Sequence, residues 1–406
     1  MHGADWRSTV AISCGVAVIL VIVIWNARSK KKSSPEKSES KNTTGNVPTD
    51  SETDNCCEKK VEVRKEEIKR ERRETSDFPE LKWVKVARVE ELYYYPLKSG
   101  RGKAVGECKF TEHGISIESN GLFSLNDRMF LVYNEETRRF KTGREYPTMI
   151  LVSLSAVDER KVKLEAVGMP SVVFRVPEKT EKSSAIVECT MWWGEPVKCI
   201  DCGPEPAEWL SRFLTGTNSG LRLGFSLFDK RQLTKGPWER FTKVYNNLKD
   251  EDTGLFADLT SYMLMSSQSL DMLNEKLETP VPALQFRPNI VVSGEGPFVE
   301  DTWEWIKIGD RAIIRNVKPC SRCRMIKVNP ATGIADKAEP FKTLKSFREQ
   351  KDPEKRSLEG SAPTLGIYCG LYVTGRVKVG DDVFVHVPDN IENLKMSNEE
   401  ESTKSC

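Results

Sequence analysis

Between residues 84 and 176, a stretch that alternates apolar and polar side chains at 84–94 is followed by six further short strand-like stretches, and this pattern restricts the possible folds more than any other feature. Turn signals such as His113-Gly114 and Asn120-Gly121 separate the stretches. A period of two predicts strands with one buried face, and many short strands at close spacing are typical of a β-barrel or a β-sandwich. The predicted strands cover residues 84–94, 107–110, 115–118, 129–133, 148–154, 162–166 and 171–176.

Helical periodicity is confined to a few segments. Leucine and aromatic side chains recur at helical spacing after a Gly-Pro start or a serine cap. The segments with this spacing are 204–214, 266–277 and 341–350. Later strands are expected over 282–292, over 306–316 and as a pair within 377–387 around Gly380-Asp381. The pattern therefore predicts a mixed α/β, mainly β fold.

Composition divides the chain into parts of different character. Residues 30–80 are rich in Ser, Thr, Glu and Lys, and such a segment buries too little apolar surface to offset its ordering entropy, so we predict a charged flexible tether. Residues 81–220 contain the alternating strands and form a predicted β-rich domain. Residues 221–388 form a predicted second domain, and residues 389–406 a polar tail.

An uncharged run of 18 residues at positions 8–25 is just long enough to cross a membrane as a helix. The basic block at 28–32 follows this run, and Arg7 precedes it. A cleaved signal peptide would carry its positive charge before the apolar run. The positive-inside rule places the residues after the run in the cytosol. We therefore expect residues 1–29 to form one transmembrane anchor, in the mitochondrial outer membrane or, as an alternative, the endoplasmic reticulum.

Charge and residue usage exclude several functions. A net charge of +2, without a basic patch interleaved with aromatic residues, argues against a nucleic-acid partner. Eleven cysteines scattered over 406 residues indicate a reducing compartment. The sequence has three histidines and no G-x-S-x-G motif, so a serine hydrolase site is not supported, while a nucleophilic pair of Cys323 and His386 stays open. Residues 100–103 lack the spacing of a nucleotide phosphate loop.

Two thiols stand in a predicted loop within KPCSRCRMIKVNPATG, residues 318–333. Cys320 and Cys323 are flanked by Arg322 and Arg324, and nearby guanidinium groups favour the thiolate, which is both a nucleophile and a soft metal ligand. Two other interpretations stay open. The thiols are ordinary reduced cysteines, or they form half of a zinc site whose other half, residues 199–202, lies more than a hundred residues upstream.

Hydroxyl, amide and basic side chains stand where several predicted strands end. Groups on separate loop tips can converge on one anion, and guanidinium matches phosphate through paired hydrogen bonds. The residues in such positions are Lys98, Ser99, Arg128, Arg287, Asn289, Ser321 and Arg322. The sequence therefore predicts an anion site formed by loops.

Five motifs in a fixed order resemble the MOSC family. They are Tyr95-Pro96-Leu97-Lys98-Ser99, Asp127-Arg128, Asp201-Cys202-Gly203, Phe286-Arg287-Pro288-Asn289-Ile290 and Cys320-Ser321-Arg322-Cys323, the last ending in NPATG, and Lys378-Val379-Gly380-Asp381 closes the series. The resemblance extends over residues 83–387. It implies a MOSC-type β-barrel preceded by a MOSC-associated β-rich domain.

The resemblance also implies a molybdenum-molybdopterin cofactor. Cys323 matches the cysteine that ligates molybdenum in this family, and it is the expected catalytic and metal-binding residue. The other expected cofactor-binding positions are Lys98, Ser99, Arg128, Asp258, Thr260, Arg287, Asn289, Ser321 and Arg322.

The implied activity is two-electron reduction of N-hydroxylated compounds such as amidoximes, hydroxylamines and N-oxides. The chain contains no nicotinamide-binding fingerprint, so electrons are expected from cytochrome b5 and its NADH-dependent reductase. Two alternatives remain from other classes. One is a molybdenum cofactor carrier or sulfur-transfer module, and the other is a metal-free protein that binds partners at a membrane.

Overall fold

The computed structural model describes residues 82–118, 121–178, 185–191, 194–294 and 296–386. The predicted anchor, the tether over 30–80 and the tail over 389–406 lie outside these residues. Within the described ranges, no helix is long and apolar enough to cross a membrane.

The described residues form twenty strands and five α-helices. The strands are β1 (Trp83–Tyr94), β2 (Lys103–Val105), β3 (Glu107–Thr111), β4 (Gly114–Ile117), β5 (Leu125–Asn126), β6 (Phe130–Asn134), β7 (Phe140–Lys141), β8 (Ser153–Ala156), β9 (Lys161–Glu165), β10 (Val172–Arg175), β11 (Ile186–Thr190), β12 (Pro196–Asp201), β13 (Leu221–Ser226), β14 (Tyr262–Ser266), β15 (Ile290–Val292), β16 (Trp305–Ile308), β17 (Ala312–Ser321), β18 (Thr364–Val373), β19 (Gly375–Lys378) and β20 (Asp382–His386). The helices are α1 (Pro204–Thr215), α2 (Glu239–Val244), α3 (Ser267–Asn274), α4 (Phe341–Arg348) and α5 (Pro353–Glu359). The prediction of a mainly β fold is confirmed.

Seven strands close into a barrel in the order β1, β15, β14, β18, β17, β16, β20 and back to β1. Closure depends on β1, which pairs with β20 over its first half and with β15 further along, where Val89 lies opposite Val292. Irregular pairing after Lys85 and after Val89 bends β1 between its two partners. A closed barrel leaves no unpaired edge, so its backbone groups are satisfied internally.

Three smaller sheets surround the barrel. Their strand orders are β10-β9-β8, β11-β12-β13-β6-β7 and β19-β3-β4-β5. Helix α1 packs on the second of these sheets through β13, with Trp209 and Leu210 buried. It begins with Pro204 and ends at Gly216, whose φ of 74° is the left-handed conformation that glycine adopts readily. The helix predicted over 204–214 is confirmed.

The serine cap predicted for the second helix is also confirmed. The Ser266 side chain accepts a hydrogen bond from the backbone N–H of Gln268, which satisfies a free donor of the first turn of α3. Leu270 and Leu273 are buried on the inner face of this helix. The helix ends at Asn274, three residues before the predicted end.

Four predicted strand segments need correction. The segment 148–154 contains a 3-10 helix over Pro147–Leu151 before β8, because proline fixes φ near the helical value at the first turn. The single strand over 306–316 is wrong, since Gly309, at a φ of 59°, turns the chain into the β16–β17 hairpin. The segment 282–292 begins with a 3-10 turn over Ala283–Phe286 and is a strand only from Ile290.

The predicted strand pair within 377–387 is wrong in its pairing. Strand β19 pairs with β3 in the four-stranded sheet, whereas β20 pairs with β1 and β16 in the barrel. Gly380, at a φ of 91°, lies between the two strands where the chain passes from one sheet to the other. The division at residue 220 stays a prediction, but strand pairing crosses it in both directions through β1 and β19.

Candidate active site

Ten predicted site residues line one pocket of about 710 Å³. Nine of them come from the ends of barrel strands and the loops beside these strands, because strand ends of a barrel meet at its rim. The tenth, Arg128, comes from the loop before β6. The ten are Lys98, Ser99, Arg128, Asp258, Thr260, Arg287, Asn289, Ser321, Arg322 and Cys323. The structure therefore brings all the predicted positions together, while their roles stay a prediction.

Cys323 lies just beyond the end of β17 and precedes a 3-10 turn over Arg324–Lys327. Among the described cysteines, it is the one that is not buried. The guanidinium of Arg144 contacts its sulfur, with Nη2 3.0 Å and Nε 3.3 Å from Sγ. The Cys323 sulfur therefore faces a donor group that carries a permanent positive charge.

Arg322 does not fill the role that its position in the sequence indicates. Its Nε and Nη2 donate to the backbone carbonyl of Leu365, and its Nη1 donates to the carbonyl of Phe286 at 2.8 Å. The side chain is buried and ties the thiol loop to β18 and to the 3-10 turn before Arg287. The expectation that Arg322 supports the thiolate is therefore corrected, because the guanidinium on the sulfur belongs to Arg144.

Lys98 and Asp258 form an ion pair in the pocket, with Nζ 2.6 Å from Oδ1. Lys98 is almost fully buried, and burial lowers its pKa although Asp258 opposes the effect. Burial alone would raise the pKa of Asp258, but the charges of Lys98 and Arg144 outweigh it and hold this pKa well below its usual range. Since 48% of the Asp258 side chain is exposed, solvent weakens the pair.

Two guanidinium groups lie over the ring of Tyr95. The centres of Arg128 and Arg287 are 4.5 and 4.3 Å from the ring centroid. Arg128 is paired with Asp127, whereas burial, reinforced by the nearby Arg128 charge, lowers the pKa of Arg287 to about 10. Nη1 of Arg287 donates to the Gly100 carbonyl at 2.7 Å, but Nη2 is buried without a hydrogen-bond partner. An unpaired buried donor of this kind suits an anionic ligand.

Asn289 and Thr260 are engaged in the protein itself. Asn289 Oδ1 accepts from Arg128 Nη1 and from the backbone N–H of Met263, both at 3.2 Å. Its Nδ2 donates to the Tyr93 carbonyl at 3.2 Å. Thr260 Oγ1 donates to the Tyr262 carbonyl at 2.9 Å. These two side chains fix the loops that carry the basic groups.

An apolar wall, formed by Trp238, Phe241, Leu358 and Tyr368, lines another part of the pocket. Trp238 and Phe241 meet edge to face, with centroids 4.9 Å apart. The indole N–H donates to Glu195 at 2.8 Å, so its polar atom is satisfied away from the pocket surface. Sequence reasoning missed this wall and Arg144, because both come from segments that no motif singles out.

The alternatives for the two thiols differ in how well they suit the structure. Cys320 is buried in one hydrophobic cluster and Cys199 in another, which does not suit a shared zinc site. In the part of the chain that is described, no group of three or more His, Cys, Asp or Glu side chains could hold a metal ion. His386, at the end of β20, does not line the pocket with Cys323.

The rim loops of this β-barrel gather basic side chains around an accessible thiol, and thiol sulfur is a type of ligand that soft metals prefer. The family model of the MOSC domain matches residues 251–384, and that of the MOSC N-terminal beta barrel domain matches residues 86–217. With the relatives described next, these matches show that the chain belongs to the MOSC-domain family.

Several curated proteins are similar to most of this chain. Mitochondrial amidoxime-reducing component 1 of Homo sapiens is 34% identical over 300 residues, which are 74% of this chain and 83% of that protein. Mitochondrial amidoxime reducing component 2 of Bos taurus is 35% identical, with 74% and 83% covered. The component 1 protein of Danio rerio is 32% identical, with 75% and 86% covered.

Proposed function

We propose that this protein is a molybdenum-cofactor oxidoreductase that reduces N-hydroxylated compounds. The observation that supports it most is the position of Cys323 at a pocket ringed by basic groups. The names of the similar proteins describe amidoxime reduction, which belongs to the same reaction class.

The pocket residues fit an anionic pterin cofactor. Arg287 carries a buried nitrogen without a partner, and the neighbouring Arg128 adds a second positive charge. Phosphate oxygens would satisfy such donors, since guanidinium and phosphate form paired charge-assisted hydrogen bonds. The volume of about 710 Å³ is within the range of cofactor pockets.

Nine of the ten predicted residues then have a physical role. Arg128 and Arg287 would bind the phosphate, with Lys98 and Ser99 on the adjacent loop, and Cys323 would ligate molybdenum through its sulfur. Arg322, Asn289 and Thr260 would hold the loops in place, as their bonds to backbone groups indicate. Asp258 would orient Lys98 and Arg144.

The reduction consumes two electrons and two protons, breaks the N–O bond and releases the oxygen as water. When bound, the molybdenum cofactor supplies the two-electron chemistry, and the chain supplies binding, orientation and charge. The apolar wall with Trp238 and Phe241 would bind the body of the substrate and exclude water from it. An aryl amidoxime has the flat apolar body that such a wall suits.

Electron supply and location extend the proposal beyond this chain. We propose cytochrome b5 and its NADH-dependent reductase as the donors, because the sequence contains no nicotinamide-binding fingerprint. We propose that residues 1–29 anchor the protein with its barrel in the cytosol, on the basis of the apolar run and the basic block after it. The similar proteins are named mitochondrial, which favours the mitochondrial outer membrane over the endoplasmic reticulum.

Elemental analysis of the full chain, purified under reducing conditions, tests the cofactor. We expect near-stoichiometric molybdenum and NADH-dependent reduction of an aryl amidoxime when cytochrome b5 and its reductase are added. Molybdenum without turnover, even with a chemical reductant, would favour the carrier or sulfur-transfer alternative. Zinc, or no metal despite cofactor supply, would contradict the proposal and favour a metal-free binding protein.

A further inference from the structure

The contact between Arg144 and Cys323 joins residues 179 positions apart in the chain. Two nitrogens of one guanidinium face one sulfur, at 3.0 and 3.3 Å. The Arg144 side chain is only 18% exposed, so little solvent competes for these donors. A guanidinium keeps its charge at every physiological pH and offers parallel N–H groups in a fixed plane.

The backbone around Arg144 is held in a tight turn between β7 and the 3-10 helix over Pro147–Leu151. Its N–H donates to Thr142 Oγ1 at 3.3 Å. The N–H groups of Glu145 and Tyr146 both donate to the Thr142 carbonyl at 3.0 Å. Such local bonds fix the direction in which the Arg144 side chain leaves the turn.

The side chain of Arg144 is also held at its far end. Nη2 lies 4.0 Å from Asp258 Oδ2, and the other oxygen of that carboxylate is paired with Lys98. The turn itself packs against the thiol loop, since a Cβ at Gly143 would lie 2.7 Å from Sδ of Met325. Arg144 is therefore fixed from both sides while it contacts the sulfur.

We infer that Arg144 is a positioning residue, which fixes the Cys323 sulfur and withdraws electron density from it through two charged N–H donors. Hydrogen bonds to a sulfur that ligates a metal stabilise the more electron-rich state and so raise the reduction potential. The metal part of this inference rests on the proposed function. The contact with the thiol does not, because it needs no cofactor.

The first test uses the cofactor-free full chain and the reactivity of Cys323. Iodoacetamide labelling at neutral pH, followed by peptide mass mapping, gives the alkylation rate of this cysteine in the wild type, Arg144→Met, Arg144→Lys and Arg139→Met. We expect the rate in Arg144→Met to differ about threefold or more from the wild-type rate, since that variant lacks the two N–H donors that contact and fix the Cys323 sulfur. The Lys variant should fall between, and Arg139, which is exposed in the β6–β7 turn on the other side of β7, serves as a charge-matched control.

The second test uses the molybdenum-loaded full chain. Reduction potentials followed by electron paramagnetic resonance should be lower in Arg144→Met than in the wild type and unchanged in Arg139→Met.

A wild-type alkylation rate together with a wild-type potential in Arg144→Met would overturn the inference. If Arg144→Met loses molybdenum or unfolds, Arg144→Lys is the deciding variant, because lysine keeps the charge without the paired N–H donors. A wild-type alkylation rate and a wild-type potential in Arg144→Lys would then overturn the role of the paired donors. Absence of molybdenum in the wild type would contradict only the proposed function, and the alkylation rates would still decide the contact.

Discussion

Three residues at the pocket hold a backbone conformation that their side chains disfavour. Ser99, Arg128 and Arg287 have φ values of 63°, 50° and 57°, in the left-handed region. Each such residue costs on the order of 1 kcal/mol, so the surrounding bonds must impose the conformation. The Arg287 N–H, for instance, donates to the Leu284 carbonyl at 3.1 Å. Of the six non-glycine residues with positive φ in the described part of the chain, these three line the pocket, where function can select a strained geometry.

The two thiols should respond differently to the same substitution. Cys323→Ala removes a half-buried loop sulfur, so we expect turnover to fall at least a hundredfold while the free energy of unfolding changes by less than about 1 kcal/mol. Cys320→Ala removes a buried sulfur from a hydrophobic cluster, so it should cost about 1 kcal/mol of stability and keep most of the turnover. Steady-state rates and thermal unfolding check both. Equal and complete loss of turnover would instead indicate that the thiols act as a pair.

Asp258 should make stability depend on pH on the acid side. Its pKa is lower in the folded than in the unfolded chain, where aspartate titrates near pH ~3.9. Its stabilising effect is thus complete above that value and is lost as pH falls below it. The difference in unfolding temperature between the wild type and Asp258→Asn should be greatest at neutral pH and shrink below about pH 4. A difference that stays constant from pH 7 to pH 3 would show that the Lys98 pair contributes nothing.

Local sequence identified the pocket residues better than it identified their contacts. The motifs around Lys98, Arg128 and Cys323 mark strand ends, and the closed barrel brings those ends together. The contact of Arg144 with Cys323 could not be predicted, because it depends on the packing of a distant turn. For Arg322 the prediction was wrong in the opposite sense. This residue is adjacent to Cys323 in sequence, but its guanidinium donates to backbone carbonyls and does not contact the sulfur.

At the scale of elements, the long alternating strand β1 was predictable, whereas two long buried strands of the barrel were not. Strand β1 was expected over 84–94 and forms over Trp83–Tyr94. Strands β14 and β18 were missed, because almost every residue in them is buried and an alternating pattern is absent. Helix α2 was missed because only six residues form it. An alternating sequence pattern arises only when one face of a strand is exposed to solvent, and strands buried on both faces lack such a face.

Helix α2 gives the apolar wall a testable role in substrate binding. Phe241→Leu conserves volume, so stability should change by less than about 1.5 kcal/mol. Loss of a flat aromatic contact worth about 1 kcal/mol should raise the KM of an aryl amidoxime roughly fivefold and leave the KM of hydroxylamine unchanged. The same change at Phe213 on α1, outside the pocket, is the control. Equal shifts in KM for both substrates would contradict a role in recognising the aromatic body.

At the scale of the whole molecule, the order of strands along the chain differs from their order in space. Strand β1 stands first among the described elements but closes a barrel whose other strands are β14 to β18 and β20. Strand β19 does the reverse: it comes late in the chain but completes a sheet with the early strands β3, β4 and β5. Sequence alone predicts two consecutive domains, because local patterns do not show that β1 and β19 each pair with strands of the other domain. We therefore expect the barrel and the β-rich region to depend on each other for folding.

Two deletions at the N-terminus should accordingly have opposite effects. Removal of residues 1–32 takes away the predicted anchor and leaves β1 whole, so the protein should leave the membrane fraction, bind molybdenum and reduce an aryl amidoxime with a chemical donor at the wild-type rate. Removal of residues 1–92 deletes most of β1, which opens the barrel between β15 and β20 and exposes two strand edges. That protein should be insoluble and free of molybdenum.

Sedimentation, metal content and thermal unfolding compare the two deletion variants. Membrane association of the first deletion would reveal another anchor, and cooperative unfolding of the second at the wild-type temperature would show that β1 is not needed to close the barrel.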